Sequence, residues 1–300
     1  HLEKGDPFYL VKLEHHPRTR AVGFSLPAAI PRKMPRVLCA GHVNWDVTLR
    51  VDSLPAPDSE SVVTDRRESG GGSAANVAAA LANLGVDASL VGSVGTDEHG
   101  ELARQELVAA GVDTDPIQTV EGRTAVKYLL VGEGGEVAVV DDGGVNESFR
   151  VDALPPDLFD GGAVCHLTSQ RPDTAARLAE LASEAGLVVS FDPGRRFGER
   201  DYGATLELTD VLFMNDREAD HAPALPADCR VVRTHGADGA TLEGPDLVFE
   251  HPGYDLESVD TTGAGDAFAA GFHAARLRGA DTERALASAN ACGAIAATVT

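Results

Sequence analysis

One feature limits the fold of this chain more than any other: short apolar runs rich in Val and Leu alternate with longer Ala-rich segments. The runs "ASLVGSV" (88–94), "AVCHLT" (163–168), "GLVVSFD" (186–192) and "DVLFMN" (210–215) read as strands buried on both faces. The segments "SAANVAAALANLG" (73–85), "DEHGELARQELVAAG" (97–111) and "DTAARLAELASEAG" (173–186) carry helical periodicity. Strand and helix exchanging at this rhythm predict an α/β fold, a central and mostly parallel sheet with helices on both sides. With 300 residues, 43% of them hydrophobic, the chain is long enough to bury such a sheet.

Two stretches leave that rhythm. "DVTLRVD" (46–52) and "TAVKYLLVGEGGEVAVV" (124–140) alternate with period two, and the second contains a glycine-bearing hairpin. They predict a small separate sheet, a lid, with strands within 46–68 and 122–141.

The formal charge is −22, and residues 1–33 hold six Lys or Arg against three acids, so +3 there leaves −25 on residues 34–300. Lys127 is the one lysine after Lys33. Such a body resembles proteins of salt-in halophiles, whose dense carboxylates tolerate one another where salt screens them. A GC-rich genome with an acidic bias gives the same composition. No basic stripe offers itself to nucleic acid. Apolar runs break well before the roughly 18 residues of a membrane span, and no charged-then-apolar segment opens the chain. A cytoplasmic protein with neither a membrane nor a nucleic-acid partner is expected. Cys39, Cys165, Cys229 and Cys292 lie far apart beside apolar runs, which predicts buried free thiols. The leader lacks apolar periodicity, and Met34 stands just before the first convincing strand, "RVLCAGH". Met34 is therefore the expected native start, with 1–33 as an extension and 34–300 as the domain.

Open α/β sheets bind ligands outside the carboxyl ends of their strands, so polar residues at those junctions carry the search for function. In "GHVNWDVTL", Asn44 and Asp46 share one face of an extended segment and suit vicinal hydroxyls; an Asx turn is the structural alternative. In "ESGGGSAANVAAALANLG", glycines let backbone approach a ligand, Ser73 is the expected helix cap, and Asn76 falls in the first turn. In "SVDTTGAGDAFAAGF" (258–272), Gly263, Ala264 and Gly265 leave their amides open at a helix start, a place suited to a phosphate. Asp266 beside it can take a proton from an attacking hydroxyl, and Asp260 can orient the loop or face a cation; a cap and a turn are the alternatives. In "MNDREAD", Asn215 and Glu218 at i, i+3 suit water-mediated contact with Mg²⁺ or form a capping box. The sequence contains no GxxxxGK[ST], no GxGxxG after the first strand, and no HExxH, CxxC or GxSxG.

These signals coincide in one pattern. "DTTGAGDAFAAGF" resembles the C-terminal signature of the ribokinase (PfkB) carbohydrate kinase family, and "GGGSAANVAAALANLGV" with "GSVGTDEHGE" resembles its N-terminal one. "GHVNWDVTLRVDSLPAPDS" is similar to the family's sugar-binding strand and "NDRE" to its N-x-x-E motif, in the right order over about 37–300. The resemblance implies a ribokinase-like three-layer α/β/α fold with a β lid, and transfer of the γ-phosphoryl of ATP to the hydroxymethyl of a ribose- or fructose-type furanose. A nucleoside kinase acting on the ribosyl 5′-hydroxyl is the alternative, and a non-catalytic sugar-binding protein a third. It further implies Asp266 as base, the amides of Gly263, Ala264, Gly265 and Asp266 as anion hole, and Asn44, Asp46, Gly71, Gly72 and Asn76 on sugar hydroxyls. Asn215 and Glu218 would organise Mg²⁺ and phosphates, with Thr234, Gly236 and Gly239 of "RTHGADGA" near ATP. Asp260 and Thr262 match the monovalent-cation positions of K⁺-activated members, a site that usually needs residues past Thr300. The segment between Glu218 and Arg230 is shorter than usual, and an end at Thr300 leaves out the family's last helix. A homodimer through the lid is the expected assembly.

Overall fold

The computed structural model describes residues 36–256 and 258–298; Met34 and the leader lie outside the described residues. The chain runs β1 (Arg36–Ala40), β2 (Asn44–Val51), β3 (Val63–Gly71), α1 (Ser73–Asn83), β4 (Ala88–Val94), α2 (Glu98–Ala109), β5 (Ile117–Thr119), β6 (Ala125–Val131) and β7 (Val137–Asp142). It continues through β8 (Gly162–Thr168), α3 (Pro172–Glu184), β9 (Val188–Asp192), α4 (Gly203–Leu206), β10 (Val211–Asn215), α5 (Asp216–Ala219) and β11 (Arg230–Thr234). It closes with β12 (Ala240–Gly244), β13 (Leu247–His251), α6 (Ala264–Leu277) and α7 (Thr282–Ala296).

Nine strands form the central sheet, in the order β13-β12-β11-β10-β9-β8-β1-β4-β5. All pairs from β11 to β5 are parallel. Strand residues alternate between two apolar layers, as period two requires. Val37, Val164, Val211 and Phe213 pack with α1 and α6, whereas Leu38, Cys165, Leu212 and Met214 pack with α3. Helices on both faces explain why these strands read as unbroken apolar runs. Cys39, Cys165 and Cys229 are buried and Cys292 is partly buried, all as free thiols.

The lid is a four-stranded sheet in the order β3-β2-β6-β7. Its strands are mostly exposed on one side, which is why alternation rather than a continuous apolar run marked them. "GSVGTDEHGE" fastens this sheet to the core. Asp97 caps α2 through the Gly100 amide (3.2 Å) and also accepts from the Thr124 hydroxyl (2.6 Å) and amide (3.1 Å) at the entry to β6. Trp45 of β2 stacks on His99 of α2 and donates to Glu68 of β3 at 2.9 Å.

One local expectation is corrected and one hairpin is added. The N-cap of α1 is Gly72, at φ +99°, and Ser73 is the first helical residue, because the chain leaves the lid through a conformation that side chains resist. The stretch after "RTHGADGA" adds the antiparallel hairpin β12–β13 to the sheet edge, two short strands that alternate between buried and exposed residues. Among the described residues, no helix is long and apolar enough to cross a membrane.

Candidate active site

The loop before α6 turns at Gly263, whose φ of +74° is left-handed and disfavoured by side chains. The Ala264 amide is spent on the Thr261 carbonyl (3.2 Å). The amides of Gly263, Gly265 and Asp266 have no acceptor among the described residues, so the open donors of this helix start narrow from four residues to three. Asp266 accepts from the Asn76 side-chain amide at 2.8 Å, which joins α6 to α1 across 190 residues of sequence. Burial raises the Asp266 carboxyl to about 6, opposed by Asn76 and the positive charge of Lys127. A carboxylate with this affinity can hold and release a proton near neutral pH.

Next to it lies the strand β2. Asn44 is fully buried, and its carbonyl oxygen accepts from Asn146, whose own carbonyl accepts from the Val43 amide (2.9 Å). The Asn44 amide nitrogen and Asp46 Oδ1 are buried without a partner. Buried polar atoms left unpaired are costly, and hydroxyls of a bound ligand would satisfy both. Asp46 is raised to about 6, chiefly by burial, against Lys127, which stands beside it in register on β6. Gly71 closes this wall: a Cβ there would lie 2.3 Å from Asp46 Oδ2, so only glycine admits the carboxylate. Gly72 follows as the cap already described.

A second group stands at the ends of β9, β10 and β11. Asn215 and Glu218 form a reciprocal capping box, with bonds of 2.9 and 3.0 Å. Thr234 sits in register with Asn215, and Gly236 and Gly239 shape the turn that follows. Asp192, at the end of β9, was not singled out from the sequence. It is raised to about 8 by burial, then by repulsion from Glu218 and Asp266, which ties this group to the first. Asp260 accepts from the Thr262 amide at 2.8 Å, the Asx-turn geometry. Among the described residues, no three His, Cys, Asp or Glu side chains converge as direct metal ligands.

The structure thus brings Asn44, Asp46, Gly71, Gly72, Asn76 and Asp266 into one cleft, with Asn215, Glu218 and Thr234 along its continuation. Gly236, Gly239, Asp260 and Thr262 stand on flanking turns. Asn146 and Asp192 were missed because "DGGVNES" and "SFDPG" read locally as turns. A groove of about 490 Å³ lined by Val151, Pro155, Phe159 and Arg177 contains none of the predicted residues.

A doubly wound sheet with a β lid, over a cleft joining an open helix start, a recessed carboxylate and unpaired polar groups, defines a phosphotransferase for a hydroxylated acceptor. Residues 34–300 match the pfkB family carbohydrate kinase profile. The chain is 56% identical over 273 residues to the ATP-dependent ribose-1-phosphate kinase of Halopiger xanaduensis, covering 88% of this chain and 92% of that protein. It is 30% identical over 259 residues to a nucleoside kinase of Methanothermobacter thermautotrophicus (82% and 84% covered). Among solved structures, the nucleoside kinase of Methanocaldococcus jannaschii superposes with a TM-score of 0.80 at 24% identity, covering 89% of this chain and 93% of that one. This chain belongs to the pfkB carbohydrate kinase family, whose members are phosphotransferases acting on sugar or nucleoside hydroxyls.

Proposed function

We propose that this enzyme transfers the γ-phosphoryl of ATP to the 5-hydroxymethyl of ribose 1-phosphate. The observation that carries the acceptor is the 56% identity to a ribose-1-phosphate kinase, spread over 92% of that relative. This refines the free ribose or fructose expected from the sequence. The same furanose hydroxymethyl is attacked, on a sugar that already bears one phosphate.

In this reading Asn44 and Asp46 hold ring hydroxyls through their unpaired atoms, and Asn76 orients Asp266, which takes the proton of the attacking hydroxyl. The Gly265 and Asp266 amides face the negative charge that develops on the transferred group. Thr234, Gly236 and Gly239 lie along the nucleotide. When bound, Mg²⁺ neutralises phosphate charge. Asp192 and Glu218, whose mutual repulsion a cation would relieve, fit a hydrated ion held through water and phosphate oxygens. We assign Asp260 the turn it makes with Thr262 rather than a K⁺ site.

The test is turnover with ATP and Mg²⁺ across ribose 1-phosphate, ribose, fructose, ribose 5-phosphate and nucleosides. It is run in molar KCl because a body at −25 repels itself when unscreened. The highest kcat/KM is expected with ribose 1-phosphate. A nucleoside as the best acceptor would favour the alternative that the 30% identical nucleoside kinase suggests. No turnover with any acceptor would leave a sugar-binding protein.

A further inference from the structure

We propose that the phosphate which the acceptor already carries is gripped by Arg196 and Arg200 at the rim of the cleft, with the Ser169 hydroxyl beneath them. The proposal rests on ribose 1-phosphate as the acceptor. It adds the residues that would make this enzyme prefer a phosphorylated sugar to a free one.

The location follows from a chain of contacts. With its hydroxymethyl at Asp266, a furanose extends past Asn44 to Asn146, whose amide reaches the Asn44 carbonyl. The next residue, Glu147, accepts from both ends of the Arg200 guanidinium at 2.9 and 3.2 Å and contacts His42 at 3.0 Å. Arg196, on the turn after β9, stands 3.6 Å from the same carboxylate and 3.7 Å from Asp141 on the lid strand β7. Asp141 is in register with Lys127, which is itself in register with Asp46. The two arginines therefore sit on the loop after β9, where it faces the lid edge at Asp141 and the Glu147 that follows the Asn44 partner Asn146.

Charge and geometry both suit a second phosphate here. In a body at −25, one carboxylate, Glu147, faces two guanidiniums and an imidazole. His42 and Arg200 overcome the effect of its burial and hold it down to about 2, so it stays ionised and keeps Arg200 in place. A guanidinium has five N–H donors; Glu147 takes two from Arg200 and Tyr202 a further one, leaving the rest for a second oxyanion. Arg196 is only loosely held: both its contacts are beyond hydrogen-bond length, and its side chain is 42% exposed. Ser169 Oγ is buried without a partner. It lies against the turn that carries Arg196, since a Cβ on Gly194 would approach the Ser169 Cβ to 3.7 Å. An unused buried hydroxyl thus adjoins the turn that leads into a loosely held guanidinium and a fixed one.

The experiment measures kcat/KM for ribose 1-phosphate and for ribose, and ribose 1-phosphate binding by calorimetry without ATP. The proteins are the wild type, Arg196→Ala and Arg196→Lys. Arg196→Ala is expected to lower the preference for ribose 1-phosphate over ribose about tenfold or more through KM, and to weaken binding by the same factor. Arg196→Lys should recover part of both, keeping the charge without the fork. Changes below about twofold in preference and binding would overturn the proposal. If the wild type binds ribose 1-phosphate but phosphorylates another acceptor better, the functional reading fails, while lost binding in Arg196→Ala still upholds the subsite. A wild type that does not bind ribose 1-phosphate overturns the subsite itself.

Discussion

The floor and the rim of the cleft treat their carboxylates in opposite ways. On the floor, Asp46, Asp192 and Asp266 are raised by burial, to about 6, 8 and 6, and among the described residues no cationic side chain forms an ion pair with them. At the rim, Glu147 is surrounded by His42, Arg196 and Arg200 and lowered to about 2. A proton acceptor needs an affinity near working pH, and carboxylates meant to face a cation gain from being left uncompensated. A positioning group needs the reverse, a fixed charge that does not titrate. The fold supplies both by local means: an apolar sheet end and a helix start below, a lid edge and an arginine-bearing loop above.

The most severe break of this contrast is Asp266→Asn. It should lower kcat by about 10²–10⁴-fold while leaving ATP and sugar binding largely intact, as read by steady-state kinetics and calorimetry. Wild-type turnover in that variant would remove Asp266 from the role of base. Next is Gly71→Ala, which puts a methyl group 2.3 Å from Asp46 Oδ2 and must displace that carboxylate. A loss of about 10²-fold in kcat/KM is expected, a misplacement of roughly 1 Å being enough. An unchanged KM for the acceptor would show that Asp46 does not touch it.

The other two variants act on stability. Asp192 binds its proton more tightly folded than unfolded, so its ionisation destabilises the fold progressively as pH rises from about 4 to about 8. Asp192→Asn in metal-free protein should gain thermal stability over the wild type as pH rises across that window. Each kcal/mol of that gain should raise Tm by about 2 °C, read by calorimetry. A constant difference from pH 4.5 to 8.5 would contradict the raised affinity. Glu147 has the opposite sign: its stabilisation is present above about 4.5 and fades as pH falls toward 2. Glu147→Gln should therefore cost about 1 kcal/mol at neutral pH, read in urea, and progressively less as acid is added. An equal cost at pH 3 would show that packing, not charge, sets its contribution.

Much of the floor was legible in the sequence because its parts are local motifs: a glycine turn opening a helix, glycines beside Asn76, and Asn44 with Asp46 on one strand. The parallel sheet was legible for a similar reason, since strands covered on both faces leave unbroken Val and Leu runs. The rim was not. Glu147, Arg196, Arg200 and His42 come from three separate loops, and each in isolation looks like solvated surface charge. Asn146 and Asp192 sit in stretches whose local chemistry is that of turns, and only the fold carries them to Asn44 and Glu218. The hairpin β12–β13 does alternate, with Ala240, Leu242, Leu247 and Phe249 turned inward, but each strand is only five residues long and gives a short signal.

The most direct test of the contrast is a ¹³C NMR titration of the side-chain carboxyls in the metal-free enzyme, with Asp266 and Glu147 assigned by their Asn and Gln variants. Asp266 should titrate near 6 and Glu147 should remain ionised until about 2. Midpoints for both within the ordinary range of about 3.9–4.3 would contradict it.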